Sequence, residues 1–379
     1  MKILFIPTTG GVFWGGSEVL WFRTCKIALK DGHSCLILVD NINKVSNQIK
    51  HLQKEGAVLI SKNSFIWNIY KFLLKINYYS RLNPIKKFII SKMIRQDIDF
   101  LCISQGGTFN IIWDTLLYQF VNSTNKPFFL ISQFNYEHQY LSYNQIKRAR
   151  SFLAKAKEMV FVSEKNKQNA ERQLAQPIKN AFLITNPLNL DSYHYIPWPQ
   201  TDTVTMAVVA RLECAFKGQD ILLQVLKEAK WIKRSWTVNL FGEGKDELYL
   251  KDLVKYYGLE SKVNFCGHTG DIRKLWYNNQ ILLLPSIGEG TPLALLEAMV
   301  CGRPAVVTNV GGNTEVVNEG INGFIADAPT PKLLDEALEK AWSCRKDWME
   351  MGKQAHSIAL KKLDLDSPRT LLNNMLQKV

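Results

Sequence analysis

The chain has 379 residues, 46% of them apolar, and a formal net charge of +13 at pH 7. Such a length exceeds one ordinary core and the apolar share suffices for two, so two domains are expected. No apolar run reaches the roughly 18 residues that span a bilayer, and residues 1–7 are too short an apolar stretch for a secretory leader, so a cytoplasmic protein is expected.

Residues 2–7 read as a strand that runs into Thr8-Thr9-Gly10-Gly11 and then Trp14-Gly15-Gly16-Ser17-Glu18. From Ser17 the apolar Val19, Leu20, Ile27 and Ala28 recur at helical spacing, with Gly32 as the stop. Strand, glycine-rich loop and helix form an arrangement that cradles phosphate, because glycines let backbone N–H groups approach an anion at the positive helix end. The loop is neither a G-x-G-x-x-G nor a Walker sequence, so alone it discriminates little.

Residues 35–40 and 57–60 read as the next strands. Residues 44–95 hold eleven Lys or Arg and one acid, Glu55, interleaved with aromatics such as Phe65, Trp67, Tyr70 and Tyr78. That mixture fits an anionic membrane surface or nucleic acid, with a solvated basic face as the plain alternative. It is read as one or two helices broken at Asn83-Pro84. Residues 98–104, 128–132, 159–163 and 181–185 continue as strands, with a helix over 111–122. Strands separated by helices predict a parallel sheet covered on both faces. Residues 1–190 are therefore expected to form one doubly wound, Rossmann-like α/β domain.

Pro187, Pro197 and Pro199 fall in a short span without periodicity, and residues 191–203 read as a linker. The strand pattern then restarts at 204–210, 236–241, 263–267, 281–285, 305–308 and 324–326, with helices around 221–230 and 247–257. A second α/β domain over 204–355 follows, and residues 356–379 are expected as C-terminal helices that pack back on the first domain. The seven cysteines are scattered and lack a C-x-x-C pair, so free thiols are expected rather than disulfides. No His or Cys spacing has ligand character, and no metal is expected.

Open α/β sheets bind ligands beyond the carboxyl ends of their strands, and two such domains facing each other would do so in a cleft. Arg211 directly follows a strand and Lys217-Gly218 precedes a helix; two fixed cations suit a diphosphate. Gly242-Glu243-Gly244 and Gly267-His268 end the next two strands. Then come Ser286 and Glu289-Gly290-Thr291-Pro292, with Thr291 expected as N-cap and Pro292 in the first turn. The N–H groups of Thr291, Leu293 and Ala294 would then face an anion. Glu289 lies before that helix and Glu297 in its second turn. Carboxylates beside a phosphate site are better suited to accept hydrogen bonds from sugar hydroxyls than to touch the phosphate.

The run from Glu289 to Val307, E-G-T-P-L-A-L-L-E-A-M-x-x-G-R-P-A-V-V, resembles the E-x₇-E signature of the glycosyltransferase family 4 (group 1) enzymes, which are retaining transferases of GT-B fold. Gly15-Gly16-Ser17-Glu18, Phe161-Val162-Ser163-Glu164, Asn186-Pro187, Ala210-Arg211-Leu212 with Lys217-Gly218, Phe241-Gly242-Glu243-Gly244, Gly311-Gly312 with Glu315, and Gly323-Phe324 match in order. The resemblance implies that Arg211 and Lys217 bind the donor diphosphate, Glu289 contacts the donor sugar and Glu297 the ribose. Gly242, Glu243, His268, Gly290, Thr291, Pro292 and Leu293 would line the nucleotide-sugar site, and Gly15 and Gly16 would complete the phosphate cradle. Cationic side chains would stand in place of a metal, and no cofactor beyond the nucleotide diphosphate sugar is implied. One departure stands out: where family members often place a histidine after the fifth strand, this chain has Gln133, assigned to the acceptor or sugar side.

The resemblance implies a retaining transferase acting on a glycan or lipid-linked acceptor, in cell-surface polysaccharide or lipopolysaccharide synthesis. It would be cytoplasmic, or peripheral on the inner membrane face through residues 44–95, and nucleic acid is not expected as a partner. Two rivals share the motifs. A glycoside hydrolase would use Glu289 and Glu297 as acid and nucleophile, but it has no diphosphate for Arg211 and Lys217 to hold. A non-catalytic nucleotide-sugar-binding module would keep the fold without the reaction, yet every donor-side motif is intact.

Overall fold

The computed structural model describes residues 1–9, 14–62, 98–201 and 203–379. Gly10 and Gly11 of the first glycine-rich loop and residues 63–95 of the basic segment lie outside the described residues. The chain divides into two compact units, Met1–Pro187 with Asp364–Val379, and Leu188–Leu363.

The first unit is a seven-stranded parallel sheet of β1 (Lys2–Pro7), β2 (Ser34–Val39), β3 (Val58–Ser61), β4 (Phe100–Gly107), β5 (Phe128–Phe134), β6 (Glu158–Phe161) and β7 (Ala181–Leu183). Their order is β3-β2-β1-β4-β5-β6-β7. The strands are apolar on both faces because each face has its own core. Leu4 and Ile6 pack with Leu36, Leu101 and Leu130, whereas Ile3 and Phe5 pack with Ile37, Phe100 and Phe129.

The second unit repeats the plan with β8 (Val204–Val209), β9 (Trp236–Phe241), β10 (Val263–Gly267), β11 (Ile281–Leu284), β12 (Ala305–Thr308) and β13 (Gly323–Ala326). Their order is β10-β9-β8-β11-β12-β13. Met206 and Val208 enter one core, Ala207 the other. The doubly wound α/β class expected from the alternation is the observed one.

Several boundaries differ from the sequence reading, each for a local reason. The helix expected over 111–122 is two, Asn110–Trp113 and Thr115–Thr124, because the Asp114 carboxylate caps the second by accepting the Leu117 N–H at 2.9 Å. The helix Glu164–Leu174 has little apolar periodicity since its buried face includes Asn166, Asn169 and Gln173.

Residues 191–203 are not a free linker. Leu188, Leu190 and Ile196 are buried in the second unit, and the fully buried Arg303 donates to the carbonyls of Ile196 at 3.4 Å and Pro197 at 2.7 Å. The same guanidinium reaches the carbonyls of Trp276, Asn279, Cys301 and Gly302. Burial pushes its pKa down to about 10, so it remains a cation at neutral pH.

At the other end, the helix Trp348–Lys362 stays with the second unit, where Ala355 and Ala359 are fully buried. The return to the first unit begins at Asp364 rather than 356. There the helix Ser367–Gln377 sinks Leu371, Leu372 and Met375 into the core. Arg369 pairs with Asp31, and Lys378 and Asn374 both donate to the buried Glu158. All seven cysteines are free. Among the described residues no helix is long and apolar enough to cross a membrane.

Candidate functional site

Strand order reverses between β8 and β11, which pair directly, so the loops leaving them diverge and open a crevice at their carboxyl ends. The loop after β8 carries Arg211 and the short helix Cys214–Lys217; the loop after β11 carries Ser286 and Glu289. The two loops are stitched together, since the N–H groups of Ile287 and Gly288 both donate to the Phe216 carbonyl, at 2.8 and 3.3 Å.

The side chains meet on that scaffold. Lys217 Nζ lies 2.7 Å from Glu289 Oε1, with only 18% and 9% of the two side chains exposed. Ser286 Oγ donates to the same oxygen at 2.6 Å. Both contacts fall on Oε1; Oε2 carries neither. Behind them, Thr308 Oγ1 donates to the Ser286 carbonyl at 2.5 Å, and Asn313 Nδ2 to the Thr308 carbonyl at 2.9 Å. A row of polar contacts from the β12 end thus fixes the carboxylate.

Glycine is required where the loops close in. A Cβ on Gly311, which has φ +49°, would lie 2.1 Å from the Glu289 carbonyl oxygen. Gly312 N–H donates to the Gly290 carbonyl at 3.1 Å, completing the same contact. At Gly242, φ is +137° and a Cβ would meet the Ala210 carbonyl oxygen at 2.0 Å.

Arg211 behaves differently from Lys217. Its side chain is 72% exposed and faces Glu213 at 3.3 Å. Its backbone is held instead, because the fully buried Gln219 donates from Nε2 to the Arg211 carbonyl at 2.8 Å. Burial pushes the nearby Cys214 thiol up to about 11, leaving it neutral at physiological pH. Glu243, whose carbonyl accepts the Leu212 N–H at 3.1 Å, is exposed beside this loop. His268 is exposed after β10, at the sheet's far edge.

The helix expected to start at Thr291 starts later. It spans Leu293–Val300, with Pro292 at the N-cap and no side-chain cap. Thr291 cannot serve because its carbonyl accepts the Leu293 N–H at 2.9 Å in a tight turn, while the first helical bonds run to the Pro292 carbonyl. Leu293 N–H is therefore engaged within the turn and not turned toward a ligand. Glu297, 5% exposed, accepts the Asn189 N–H at 3.1 Å through Oε1.

In the first unit, Gly15 is the extended N-cap of the helix Gly16–Lys30. Glu18, in its first turn, is buried and accepts Trp21 Nε1 at 2.7 Å. Burial raises its pKa, opposed by that bond. Gln133, at the end of β5, is 5% exposed, and its Oε1 accepts Asn186 Nδ2 at 2.7 Å.

The structure thus brings Lys217 and Glu289 together, places Arg211 on the adjoining loop, and sets His268 directly after Gly267, whose carbonyl accepts the Gly242 N–H at 2.8 Å. Sequence reasoning missed the supporting Gln219, Thr308, Asn313 and Asn189. Their signal was faint: polar residues at strand ends and helix starts, where exposed turns are as common as buried ones.

Residues 197–357 match the family model described as "Glycosyl transferases group 1". That segment, which makes up most of the second unit, is similar to the group 1 glycosyltransferases. Over 114 residues it is 35% identical to an uncharacterised glycosyltransferase of Haemophilus influenzae, covering 30% of this chain and 32% of that one. One component of the Homo sapiens phosphatidylinositol N-acetylglucosaminyltransferase is 30% identical over 185 residues, 48% of this chain and 38% of its own. The matched region therefore spans about a third of each of these curated relatives. Among solved structures, HepE of Anabaena in complex with UDP aligns over 100% of both chains, with a TM-score of 0.75 and 17% identity. The apo lipopolysaccharide outer core galactosyltransferase WaaB aligns equally completely, with a TM-score of 0.69 and 17% identity. These likenesses show the GT-B fold.

Proposed function

We propose that this protein transfers a sugar, with retention of anomeric configuration, from a nucleotide diphosphate sugar to a glycan or lipid-linked acceptor. The observation that carries the reading is the Lys217–Glu289 pair at the β8/β11 switch point, inside the segment that matches the family model. Lys217 and Arg211 would neutralise the charge that develops on the leaving diphosphate, a role for fixed cations in a shielded site. Arg211, exposed on a pinned backbone, would swing from Glu213 to close on the diphosphate when it arrives. Glu289 would accept a donor-sugar hydroxyl on Oε2 while Ser286 and Lys217 hold Oε1.

Glu297 would accept the ribose hydroxyls beside its bond to Asn189. Gly242, Glu243, His268 and the turn from Gly290 to Leu293 would border the nucleotide, and Gly15 and Gly16 the phosphates. The leaving phosphate oxygen would take the acceptor's proton on the same face. A hydrolytic role for the two glutamates is disfavoured, since both already accept hydrogen bonds in the manner of fixed carboxylates. The first unit would bind the acceptor, and residues 44–95 would meet an anionic leaflet.

A panel of nucleotide sugars tested by thermal shift, UDP-glucose first because HepE structures hold UDP and UDP-glucose, should raise the melting temperature with one or a few donors. Analysis of the product anomer should then show retention; inversion would overturn the front-face route. Flotation with vesicles of anionic and of neutral lipid tests the membrane surface, and equal partition into both would discard it.

A further inference from the structure

The loop after β8 places one carboxylate between two cations. Arg211 Nη2 lies 3.3 Å from Glu213 Oε2, and Lys245 Nζ, from the loop after β9, lies 3.2 Å from Glu213 Oε1. Both cations are exposed, whereas the Glu213 side chain is only 15% exposed. The sugar-transfer reading uses Arg211 and Lys217 and leaves Glu213 and Lys245 without a task.

The backbone builds this triad. Glu213 N–H donates to the Arg211 carbonyl at 2.9 Å, and the Glu213 carbonyl accepts the Lys217 N–H at 2.9 Å, so Glu213 stands in the turn that joins the two cations expected on the diphosphate. The β9 loop can bring Lys245 this close because Gly244 has no side chain: a Cβ there would lie 2.2 Å from the Leu212 carbonyl oxygen. Asp246 anchors the other side of Lys245, its N–H donating to the same carbonyl at 3.1 Å and its Oδ2 accepting the Cys214 N–H at 2.8 Å. Glu213 is thus fixed at its backbone, and Lys245 is delivered to it between two anchored residues. The long, exposed Arg211 side chain has room to leave.

Its departure has an electrostatic consequence. Once Arg211 swings off Oε2, a mostly enclosed carboxylate faces the arriving anion, an unfavourable arrangement for a charge without a partner. Lys245 offsets part of that penalty, because it pairs with Oε1 and can stay there. The carboxylate therefore competes with the anion for the guanidinium, and Lys245 weakens the competition. We propose that Glu213 is a positioning residue that holds Arg211 off the diphosphate until a donor arrives and takes it back to release the nucleoside diphosphate product, with Lys245 setting how strongly it pulls. The inference deepens the sugar-transfer reading and rests on it for the diphosphate.

The test is isothermal titration calorimetry of UDP, GDP and ADP with the full chain at one ionic strength, after thermal unfolding has shown each variant to be folded. Glu213→Gln keeps the shape and removes the charge; the dissociation constant of a diphosphate that binds should fall about threefold, the scale of one partly exposed ion pair. Glu213→Ala serves in its place should that variant not fold, since the side chain caps no helix. Lys245→Met should raise the constant about twofold, because Glu213 then holds Arg211 more firmly. Combined with Glu213→Gln it should have no effect. In an Arg211→Ala background the gain from Glu213→Gln should vanish. A gain that persists without Arg211 reduces Glu213 to a general repulsive charge, and a Lys245 effect that survives in Glu213→Gln puts Lys245 on the ligand itself; either overturns the inference. If none of the three diphosphates binds the wild type or Glu213→Gln, the diphosphate reading falls and takes the inference with it, whereas binding that Glu213→Gln leaves unchanged overturns the inference alone.

Discussion

The carboxyl ends of the two sheets carry opposite kinds of polarity. Beyond β8 and β11 the groups are charged and already joined: Lys217 to Glu289, with Ser286 on the same oxygen. Beyond β5, β6 and β7 they are neutral amides and hydroxyls with atoms to spare. Strand order is the same in both sheets apart from the added β7, so architecture does not set the difference. The loop residues do. An ionic partner is met by charges fixed beforehand, which cost little reorganisation when it binds. In the first unit the buried amides bond chiefly to one another, as Asn186 does to Gln133 and Asn135 to Gln173.

If the second unit depends on fixed charge, removing its most enclosed cation should have the largest effect. Arg303→Ala strands several buried carbonyls at about 1–3 kcal/mol each, so a loss of about 3 kcal/mol or more is expected in denaturant unfolding. A loss confined to the second unit sharpens the comparison, and no loss would break it. Lys217→Ala should next depress turnover about 100-fold or more while leaving the fold intact, the scale of losing one charge-stabilising donor. Near-normal turnover would remove Lys217 from the chemistry. Ser286→Ala keeps both charges and frees only the orientation of Glu289; turnover should fall about tenfold, as expected for one hydrogen bond to an ionised group. Restoration by Ser286→Thr would separate orientation from packing.

How much of this was legible depended on whether a residue's neighbours are close in sequence. The alternation of apolar strands with helices gave the doubly wound class, because each strand needs apolar side chains on both faces. Glu289, Lys217 and Arg211 stood out because glycines and strand ends flank them. That Lys217 and Glu289 touch was not legible, since 72 positions separate them and only the pairing of β8 with β11 unites them. The start of the helix at Leu293 was misjudged because a Thr-Pro pair satisfies the rule for a cap, whereas the turn closed by Leu293 N–H is a backbone choice. The segment at 191–203 read as a linker from its prolines, and nothing in its composition announces that Arg303 holds it from a distance of more than 100 residues.

The smallest expected effect lies in how the two units respond to pH. In the first unit, burial raises the Glu18 pKa above 4.5, with the Trp21 bond opposing. The native state then binds that proton more tightly than the unfolded chain, so stability falls as pH rises from the unfolded value through the raised folded one. In the second unit, the hydrogen bond from Arg234 lowers the Glu339 pKa below 4.5, and Lys230 adds to it against desolvation. Its stabilisation is present above the unfolded value and is lost as pH falls through the folded one. Glu18→Gln should therefore raise the melting temperature at pH 7 by about 2 °C, with the gain vanishing in acid. Glu339→Gln should lower it at pH 7 and converge with the wild type in acid. Melting curves of both variants across that range decide the matter: differences that stay constant with pH would show that neither carboxylate titrates differently in the folded chain, and the contrast between a buried acid in one unit and a paired acid in the other would have no consequence for stability.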